Sequence, residues 1–291
     1  MGRQTRSVTI TARGPQVLVQ DSGRPGYAHL GVAAAGAADA PSYSLANRLV
    51  GNAPGTACLE VTLGGLELTV DHTTWVAVTG APTPVTVGGR AFWVNQPVPL
   101  RAGQTLRLGT PSAGLRSYVA IRGGFRVDQV LESCSADTMS GLGPPPLEVG
   151  DVLEVDRPAG PVPSVDSVPR PGHGSGPVML DAVVGPRADW FVDGALKALF
   201  ESPFEVTSDA NRVGVRLSGP PLPRRDRREL SSEGVVCGSL QAPPGGRVTL
   251  FLADHPVTGG YPVIAVLRWS SIPAAAQLRP GQAVCFRRVR E

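Results

Sequence analysis

Glycine and proline recur along the whole chain and leave little room for long helices. Together they make up about 22% of the 291 residues, against an average of about 12%, and both destabilise a helix interior. The glycines follow no Gly-X-Y period of the collagen type. Hydrophobic residues make up 42% of the chain, which is too many for a disordered protein. The sequence therefore predicts a turn-rich, mainly β globular protein and excludes a helical bundle.

The charged residues are nearly balanced, with 27 Lys and Arg against 24 Asp and Glu. No basic stripe with interleaved aromatic residues is present, so nucleic acid is not an expected partner. One basic cluster, Arg-Arg-Asp-Arg-Arg-Glu at 224–229, follows three prolines. We interpret it as a solvated loop, with a docking patch for an acidic partner as the alternative.

The four cysteines and four histidines show no metal-ligand or redox spacing, so we expect no bound metal. The N-terminal segment has no apolar h-region of a secretory signal. No stretch approaches the roughly 18 apolar residues that would span a bilayer. We expect a soluble cytoplasmic protein with reduced thiols and no membrane partner.

Residues 157–177 divide the chain, because 13 of these 21 positions are Gly, Pro or Ser. We predict a first subdomain over 1–160, a linker over 161–177 and a second subdomain over 178–291. A short repeat, Leu-x-x-Gly-Gln/Asp-x-apolar-x-apolar, begins at Leu100, Leu147 and Leu278. It predicts a tight turn at the glycine that leads into an alternating strand, and it suggests two related halves.

Other elements are short. Apolar or alternating segments between turn residues predict further strands at 17–20, 59–63, 66–70, 75–79, 92–94, 118–121, 178–184, 214–217, 248–253 and 263–267. A helix is predicted over 39–50, with Asp39 as its N-cap and Gly51 as its left-handed C-terminal residue. A second is predicted over 188–200, and residues 273–278 predict one further turn.

No familiar catalytic signature is present: the sequence has no G-x-S-x-G elbow, P-loop, H-E-x-x-H or strand-linked G-x-G-x-x-G. Polar residues gather instead in three glycine-bearing segments. The first, 20–39, contains Asp21, Arg24, Gly26, His29 and Asp39. Its glycines allow a ligand to approach the backbone closely, and a helix that starts at Asp39 favours anions at its amides. The alternative is a structural loop in which Asp21 and Arg24 form an ion pair.

The second segment, 231–241, contains Glu233 and ends at Gln241. Glu233 is a candidate general base or an acceptor for an amide N–H; the alternative is a hairpin in which it caps backbone amides. The third, 254–262, carries a larger set on a loop after an apolar strand: Asp254, Thr258, Gly259, Gly260 and Tyr261. It is typical of a binding loop, and the alternative is an ordinary connection with Tyr261 in the core. A weaker candidate is Arg122-Gly123-Gly124, which is more often only a turn.

Together these segments resemble one family, described as allophanate hydrolase subunit 2, biotin-dependent carboxyltransferase, the C subunit of 5-oxoprolinase or Kip-type antagonist proteins. The matching stretches occur in the family's order over nearly the whole chain: QDSGRPGYAHLGV, GAADAPSYSLANRLVGN, CLEVTLGG, YVAIRGGF, LSSEGVVCGSLQAPPGG and LADHPVTGGYPVIA. The chain departs from the family in the segments 35–39 and 132–136, where the family has Ser-Gly-Ala-Met-Asp and Gly-Ser-Arg-Ser-Thr. Cys237 replaces a family proline.

The resemblance implies two tandem cyclophilin-like β-barrel subdomains with two or three short helices. It implies a partner that resembles allophanate hydrolase subunit 1 (Kip inhibitor-type), in a heterodimer or heterotetramer, and a third, barrel-type subunit in 5-oxoprolinase. The implied reaction is the ATP-dependent opening of 5-oxoproline to glutamate. Alternatives within the family are a regulator that relieves inhibition of a sensor kinase and a carboxyltransferase component that moves CO2 from carboxybiotin to urea. Biotin is not expected on this chain, because it has no Met-Lys-Met and its only lysine is Lys197.

The site residues follow from the matching positions. We assign Asp254 and Glu233 as polar anchors or acid–base groups and Arg24 as the partner of a carboxylate or phosphate. Thr258 with Gly259-Gly260 forms the loop that closes on the ligand. The remaining matched residues complete the predicted ligand-binding set: Asp21, Gly26, His29, Asp39, Gln241 and Tyr261.

Overall fold

The computed structural model describes residues 5–169, 176–225, 228–244 and 247–290. These residues are mainly β with three short helices, which confirms the predicted fold class. The described residues form two compact units. The first unit comprises those within 1–24, 39–137 and 141–173, and the second comprises those within 25–38, 138–140 and 174–291. The predicted boundaries at 160 and 177 stay predictions, and residues 170–175 of the predicted linker lie outside the described residues.

The first unit consists of two antiparallel sheets around one core. Its strands are β1 Arg6–Ala12, β2 Gln16–Gln20, β3 Cys58–Thr62, β4 Glu67–Val70, β5 Thr74–Gly80, β6 Val85–Val87, β7 Arg90–Phe92, β8 Pro97–Leu100, β9 Thr105–Leu108, β10 Arg116–Ile121, β11 Phe125–Arg126 and β12 Val152–Val155. One sheet has the order β11-β12-β1-β4-β9-β6-β7, and the other β2-β3-β10-β5-β8. Apolar side chains of both sheets, such as Ile10, Leu68, Val119 and Leu59, pack into one buried cluster, as the alternation of buried and exposed positions requires.

The longest helix, α1 (Ala40–Val50), begins and ends where the sequence predicts. The Asp39 carboxylate accepts from the Ser42 amide at 3.1 Å, and Gly51 follows the helix with φ of 70°. Its buried face includes Tyr43, Ala46 and Leu49. A side-chain cap and a left-handed glycine satisfy the end groups that a helix leaves open.

The predicted turn–strand repeat is present in all three copies. The glycines Gly103, Gly150 and Gly281 have φ of 77°, 99° and 79°, and each is followed by a strand. Each glycine amide donates at 2.8 Å to a carbonyl of another strand region, that of Val70, Ile10 or Val206. The Gln or Asp that follows the glycine accepts a hydrogen bond from the amide three residues earlier. The repeat is therefore a turn that also fixes a strand beside its neighbour.

The second unit is built on a closed seven-stranded barrel. Its strands are β13 Val178–Val184, β14 Phe204–Val206, β15 Gly214–Ser218, β16 Glu233–Gly234, β17 Ser239–Gln241, β18 Val248–Phe251, β19 Thr258–Gly259, β20 Val263–Leu267 and β21 Ala283–Arg288. The barrel order is β13-β20-β17-β18-β15-β14-β21, and the parallel pair β13–β21 closes it. The remaining strands, β16 and β19, form a two-stranded ladder of their own. Closure removes the open sheet edges that would otherwise need protection.

The prediction of one continuous helix over 188–200 is wrong. Residues Ala188–Trp190 form a 3₁₀ turn, Phe191 is extended, and α2 covers only Ala195–Glu201. Gly194, with φ of 92°, breaks the helix between these two parts, because the left-handed conformation cannot continue a right-handed helix. The last predicted turn is α3, Ile272–Ala276.

The predicted strand at 92–94 lies two residues earlier, as β7. The register Val87↔Arg90 places Gly88-Gly89 in a two-residue hairpin turn, so the strand begins directly after the glycines. Trp93, predicted within the strand, is 80% exposed. Within the described part of the chain, no helix is long and apolar enough to cross a membrane.

Candidate functional site

The second unit brings two of the predicted segments side by side. In the ladder between β16 and β19, Glu233 lies opposite Gly259, and Gly234 opposite Thr258. The Val235 amide donates to the Val257 carbonyl at 2.9 Å. Glu233, Thr258 and Gly259, which are separated by about 25 residues in sequence, therefore lie in one cluster.

Gln241 and Tyr261 belong to the same cluster. The buried Gln241 donates from Nε2 to the Tyr261 carbonyl at 2.8 Å. A β-carbon placed on Gly259 would lie only 2.8 Å from this nitrogen, so a larger residue there would displace the Gln241 amide. Gly260 adjoins the cluster, while the Tyr261 side chain is 46% exposed. The alternative that placed Tyr261 in the core is wrong.

Arg187 binds the Glu233 carboxylate. Its Nε lies 2.9 Å and 3.0 Å from the two carboxylate oxygens, and Nη2 also donates to Oε1. Both side chains are about one-third exposed. The hydrogen bond from Arg187 and its positive charge lower the pKa of Glu233 from its ordinary value. Glu233 is therefore a carboxylate at neutral pH and is better suited to accept a hydrogen bond than to donate a proton.

Asp254 occupies a different environment, with no solvent exposure. Arg212 binds it through a fork, Nε to Oδ2 and Nη2 to Oδ1, both at 2.9 Å. Thr138 adds its amide at 2.9 Å and its hydroxyl at 2.7 Å, both to Oδ2. Four donors thus surround the carboxylate, which favours a positioning role over the acid–base role predicted from the sequence.

The charge of Asp254 is maintained against its burial. Burial alone would raise the pKa of this carboxyl, but the Arg212 charge and the hydrogen bonds from Arg212 and Thr138 lower it below the ordinary value. A buried pair keeps both charges only when its geometry is good and its remaining hydrogen-bonding groups are satisfied. The arrangement meets both conditions.

In the first unit, Asp21 organises the segment 133–135. Its carboxylate accepts from the hydroxyls of Ser133 and Ser135 and from the Cys134 amide, each at 2.6 Å. The Gly23 amide adds a fourth hydrogen bond at 2.8 Å. Asp21 therefore ties two parts of the chain that are over 110 residues apart, which a merely local turn would not do.

Arg24 is directed to the same segment. It is 1% exposed and donates from Nε to the Val130 carbonyl at 3.2 Å and from Nη2 to that of Ser135. Its Nη1 is buried with no hydrogen-bond partner among the described residues. Leu131 and Glu132, between these two carbonyls, have φ of 52° and 64°. Non-glycine residues in this region carry strain, which tends to occur at functional sites.

Asp39 caps α1 and also belongs to a buried polar network. Its amide donates to the Tyr118 hydroxyl at 2.8 Å, and that hydroxyl donates to Glu60 at 2.7 Å. Arg116 lies 3.4 Å from Glu60, with both side chains almost fully buried. The Asp39 carboxylate is occupied by the amide and hydroxyl of Ser42.

Gly26 and His29 lie in the second unit, on the exposed part of the segment 25–38. The His29 ring nitrogen Nδ1 is 3.0 Å from the Gly26 carbonyl. The predicted site residues therefore divide between the units. The second unit holds Gly26, His29, Glu233, Gln241, Asp254 and Thr258–Tyr261, and the first holds Asp21, Arg24 and Asp39.

Three described arginines of the basic cluster, Arg224, Arg225 and Arg228, contact the chain that follows β13. The Arg224 and Arg228 guanidinium groups lie 5.7 Å and 5.9 Å from the Trp190 ring centre, distances typical of cation–π contacts. Arg225 pairs with Asp193 at 2.5 Å. Asp226 and Arg227 lie outside the described residues. Arg122, in the weaker candidate, donates to the carbonyls of Val50 and Gly160 and supports a turn.

Sequence reasoning missed Arg187, Arg212 and Thr138, because none lies in a conspicuous motif. Arg187 follows a Gly-Pro pair after β13, and that strand-end position was the only available signal. Among the described residues, no group of three His, Cys, Asp or Glu side chains is placed to hold a metal ion.

The whole chain is similar to proteins of known family. The model of the carboxyltransferase domain, subdomain A and B, matches residues 30–288. The chain is 35% identical over 280 residues to the C subunit of 5-oxoprolinase from Escherichia coli K12, and the match covers 95% of this chain and 89% of that protein. Two solved structures extend the likeness to the fold.

The structure of TTHA0988 has a TM-score of 0.88 at 34% identity, covering 98% of this chain and 56% of that one. The chain thus spans about half the length of that protein. The K. lactis urea amidolyase has a TM-score of 0.89 at 28% identity, covering 98% of this chain and 19% of that one. Because one family model matches most of the sequence and the fold agrees over nearly all of it, the chain belongs to the carboxyltransferase domain family, subdomain A and B.

Proposed function

We propose that this chain is a subunit of an ATP-dependent 5-oxoprolinase, which opens 5-oxoproline to glutamate. It acts only with a partner that resembles allophanate hydrolase subunit 1, in a heterodimer or heterotetramer, with a third barrel-type subunit in the complete enzyme. The observation that carries the proposal is the match to 89% of the length of the C subunit of E. coli 5-oxoprolinase. The urea amidolyase match covers only 19% of that chain.

The cluster around Glu233 has the chemistry to bind a small cyclic amide. A carboxylate whose pKa is lowered by Arg187 accepts the ring N–H, and a charge-assisted hydrogen bond is stronger than a neutral one. The Gly260 backbone, directly after the ladder, supplies an N–H group for the carbonyl oxygen, which gains charge as the amide is attacked. Thr258 and Tyr261, both exposed, border the cluster.

In this reaction the ring C–N bond breaks. Water supplies a hydroxyl to the carbonyl carbon and a hydrogen to the nitrogen, and ATP is hydrolysed to ADP and phosphate. We assign ATP to the complex and not to named residues of this chain. The role of Glu233 is to orient the ring nitrogen, and the role of Arg187 is to keep Glu233 charged and in place.

The first-unit residues act mainly through the loops that they order. Asp21 holds 133–135, and Asp39 holds the start of α1. Arg24 is a buried cation whose Nη1 has no partner among the described residues, and we propose it as the group that pairs with a carboxylate. Gly26 and His29 are exposed and are proposed ligand contacts. We place the protein in the cytoplasm, where its four free cysteines stay reduced.

The test uses the reconstituted complex. Glu233→Gln keeps the shape of the side chain and removes its charge, so we expect kcat/KM for 5-oxoproline to fall roughly 10- to 100-fold, the loss of one hydrogen bond to a charged group. The matched control is Glu154→Gln, which breaks the exposed pair with Arg126 in the first unit. If both variants keep full activity, Glu233 has no part in the site.

A second function is favoured by one observation, the TM-score of 0.89 to the K. lactis urea amidolyase. In this alternative the chain is the carboxyltransferase component of a urea carboxylase. Its test is carboxylation of urea with bicarbonate, ATP and a biotinylated carrier protein. If the partner complex instead only regulates a sensor kinase, neither 5-oxoproline nor urea is turned over.

A further inference from the structure

We propose that Arg212, Asp254 and Thr138 form a latch that holds the segment 25–38 on the second unit. Arg212 and Asp254 are then positioning residues. The contacts of the second unit carry the structural part of this inference, and only its effect on catalysis rests on the proposed function.

The latch joins three distant parts of the sequence within that unit. Arg212 forks onto Asp254 and also donates from Nη2 to the Gly36 carbonyl at 2.6 Å. Thr138 donates its amide and hydroxyl to the same carboxylate. Arg212 is 2% exposed and Asp254 is fully buried. One ion pair therefore connects residue 36, residue 138 and the barrel.

The first part of the segment 25–38 is exposed, whereas Ala33, Gly36 and Ala38 near its end are buried. The 3₁₀ turn Ala28–Leu30 buries none of its residues. Its hydrogen bonds are local: the amides of residues 30–32 donate to the carbonyls of Tyr27 and Ala28, and His29 Nδ1 lies 3.0 Å from the Gly26 carbonyl. Thr138, Met139 and Ser140 are all exposed. Stretches with few buried contacts open at low free energy, so we expect the exposed turn 25–31 to depend on the buried end of its segment, where Arg212 binds Gly36.

Backbone conformation supports the same conclusion. Ala35 and Gly36 have φ of 51° and 89°, which turns the chain just before the carbonyl that Arg212 binds. A non-glycine residue in the left-handed region is unfavourable and persists where surrounding contacts dictate it. The bond from Arg212 is such a contact.

The latch also explains why Asp254 does not need solvent access. Gly26 and His29, the proposed ligand contacts, lie on the segment that the latch holds. Asp254 and Arg212 thus act on the ligand through the segment that they position. An acid–base group would need a lone pair directed at the substrate, whereas four donors surround Asp254.

The test is hydrogen exchange of the full chain, measured by mass spectrometry of peptides. Asp254→Asn removes the charge and keeps the shape, and we expect amides of 25–38 to exchange at least about tenfold faster, since breaking a buried pair is strongly unfavourable. Peptides of β13 and β21 should keep their protection. Unchanged exchange of 25–38, or equal acceleration of the whole barrel, overturns the latch.

A milder variant keeps the test decisive if Asp254→Asn does not fold. Thr138→Val removes only the hydroxyl, so we expect faster exchange in the peptide that contains 138–140 and a smaller effect on 25–38. Thr258→Val is the matched control, because Thr258 is exposed and lies outside the latch. This variant should leave the exchange of the 138–140 peptide unchanged. If the two variants behave alike, the hydroxyl contact does not act as proposed.

Activity of the reconstituted complex separates this inference from the proposed function. With 5-oxoproline as substrate, Thr138→Val should raise KM severalfold and leave kcat nearly unchanged, because positioning alone is altered. A fall in kcat with unchanged KM contradicts a positioning role. If the wild-type complex has no activity on 5-oxoproline, the proposed function fails, and the exchange data still decide the latch.

Discussion

Removing one hydroxyl from the core of the first unit should be unusually costly. In Tyr118→Phe the lost group is the Tyr118 hydroxyl, which donates to Glu60 at 2.7 Å and accepts from the Asp39 amide at 2.8 Å. Tyr118 has no exposed surface, and Glu60 is 1% exposed. Water cannot readily replace the missing oxygen, so both neighbours lose a partner in a buried place.

The magnitude follows from the two hydrogen bonds. A hydrogen bond to a charged acceptor contributes about 1.5–3 kcal/mol to stability, and a neutral hydrogen bond contributes about 0.5–1.5 kcal/mol. A buried group that is left without a partner lowers the stability further. We therefore expect Tyr118→Phe to lower the free energy of unfolding by about 2–5 kcal/mol. Tyr43→Phe is the matched control, because the buried Tyr43 hydroxyl bonds neutral groups: it donates to the Thr56 carbonyl at 2.9 Å and shares a hydrogen bond with the Ser22 side chain. It should lose about 1–2 kcal/mol.

The assay is urea unfolding of the wild type and both variants, compared at a common slope m. The expectation is refuted if the Tyr118→Phe protein is as stable as the Tyr43→Phe protein or more stable. In that case the Glu60 network contributes no more than an ordinary hydrogen bond.

Three further predictions concern strain and pH. Glu132 is exposed with φ of 64°. Glu132→Gly removes left-handed strain of about 1–2 kcal/mol but adds the larger backbone entropy of glycine, so the free energy of unfolding should rise by about 0.5–1 kcal/mol. Glu132→Ala keeps the strain and should give no rise, and equal urea midpoints for the two variants contradict this. Burial raises the pKa of Tyr43 and Tyr118 well above the ordinary value, and the Glu60 charge raises that of Tyr118 further. The free energy of unfolding should therefore fall as pH rises above about 10, where the tyrosines of the unfolded chain ionise. Tyrosinate absorbance that shows either phenol ionising before the protein unfolds would contradict this. The pKa of Asp254 is lowered in the folded protein, so the stability that its charge contributes is present above about pH 4 and is lost as pH falls below that value. The difference in unfolding free energy between the wild type and Asp254→Asn should narrow below about pH 4. A difference that stays constant with pH would refute this.

Features set by neighbouring residues could be predicted from the sequence. The Asp39 cap and the terminal Gly51 of α1 depend on a few adjacent positions, and so do the turns at Gly103, Gly150 and Gly281. The break at Gly194 was missed because the apolar positions of 188–200 fit a helical period, while one left-handed glycine decides the outcome.

The partners of the buried charges could not be predicted in this way. Asp254 binds Arg212, 42 residues away, and Thr138, 116 residues away, so the pairing depends on the topology of the barrel. The same holds for Asp21 and its serines. The motifs identified the acidic residues, but only the fold shows that Asp254 is saturated with donors while Glu233 remains partly exposed.

The most direct measurement is glutamate formation from 5-oxoproline and ATP by the complete complex, with this chain present and with it omitted. We predict glutamate and matching ADP only when the chain and its subunit-1-like partner are both present, and a marked loss with Glu233→Gln. Glutamate formation that continues without this chain, or a complex that turns over urea with a biotinylated carrier and leaves 5-oxoproline intact, would contradict it.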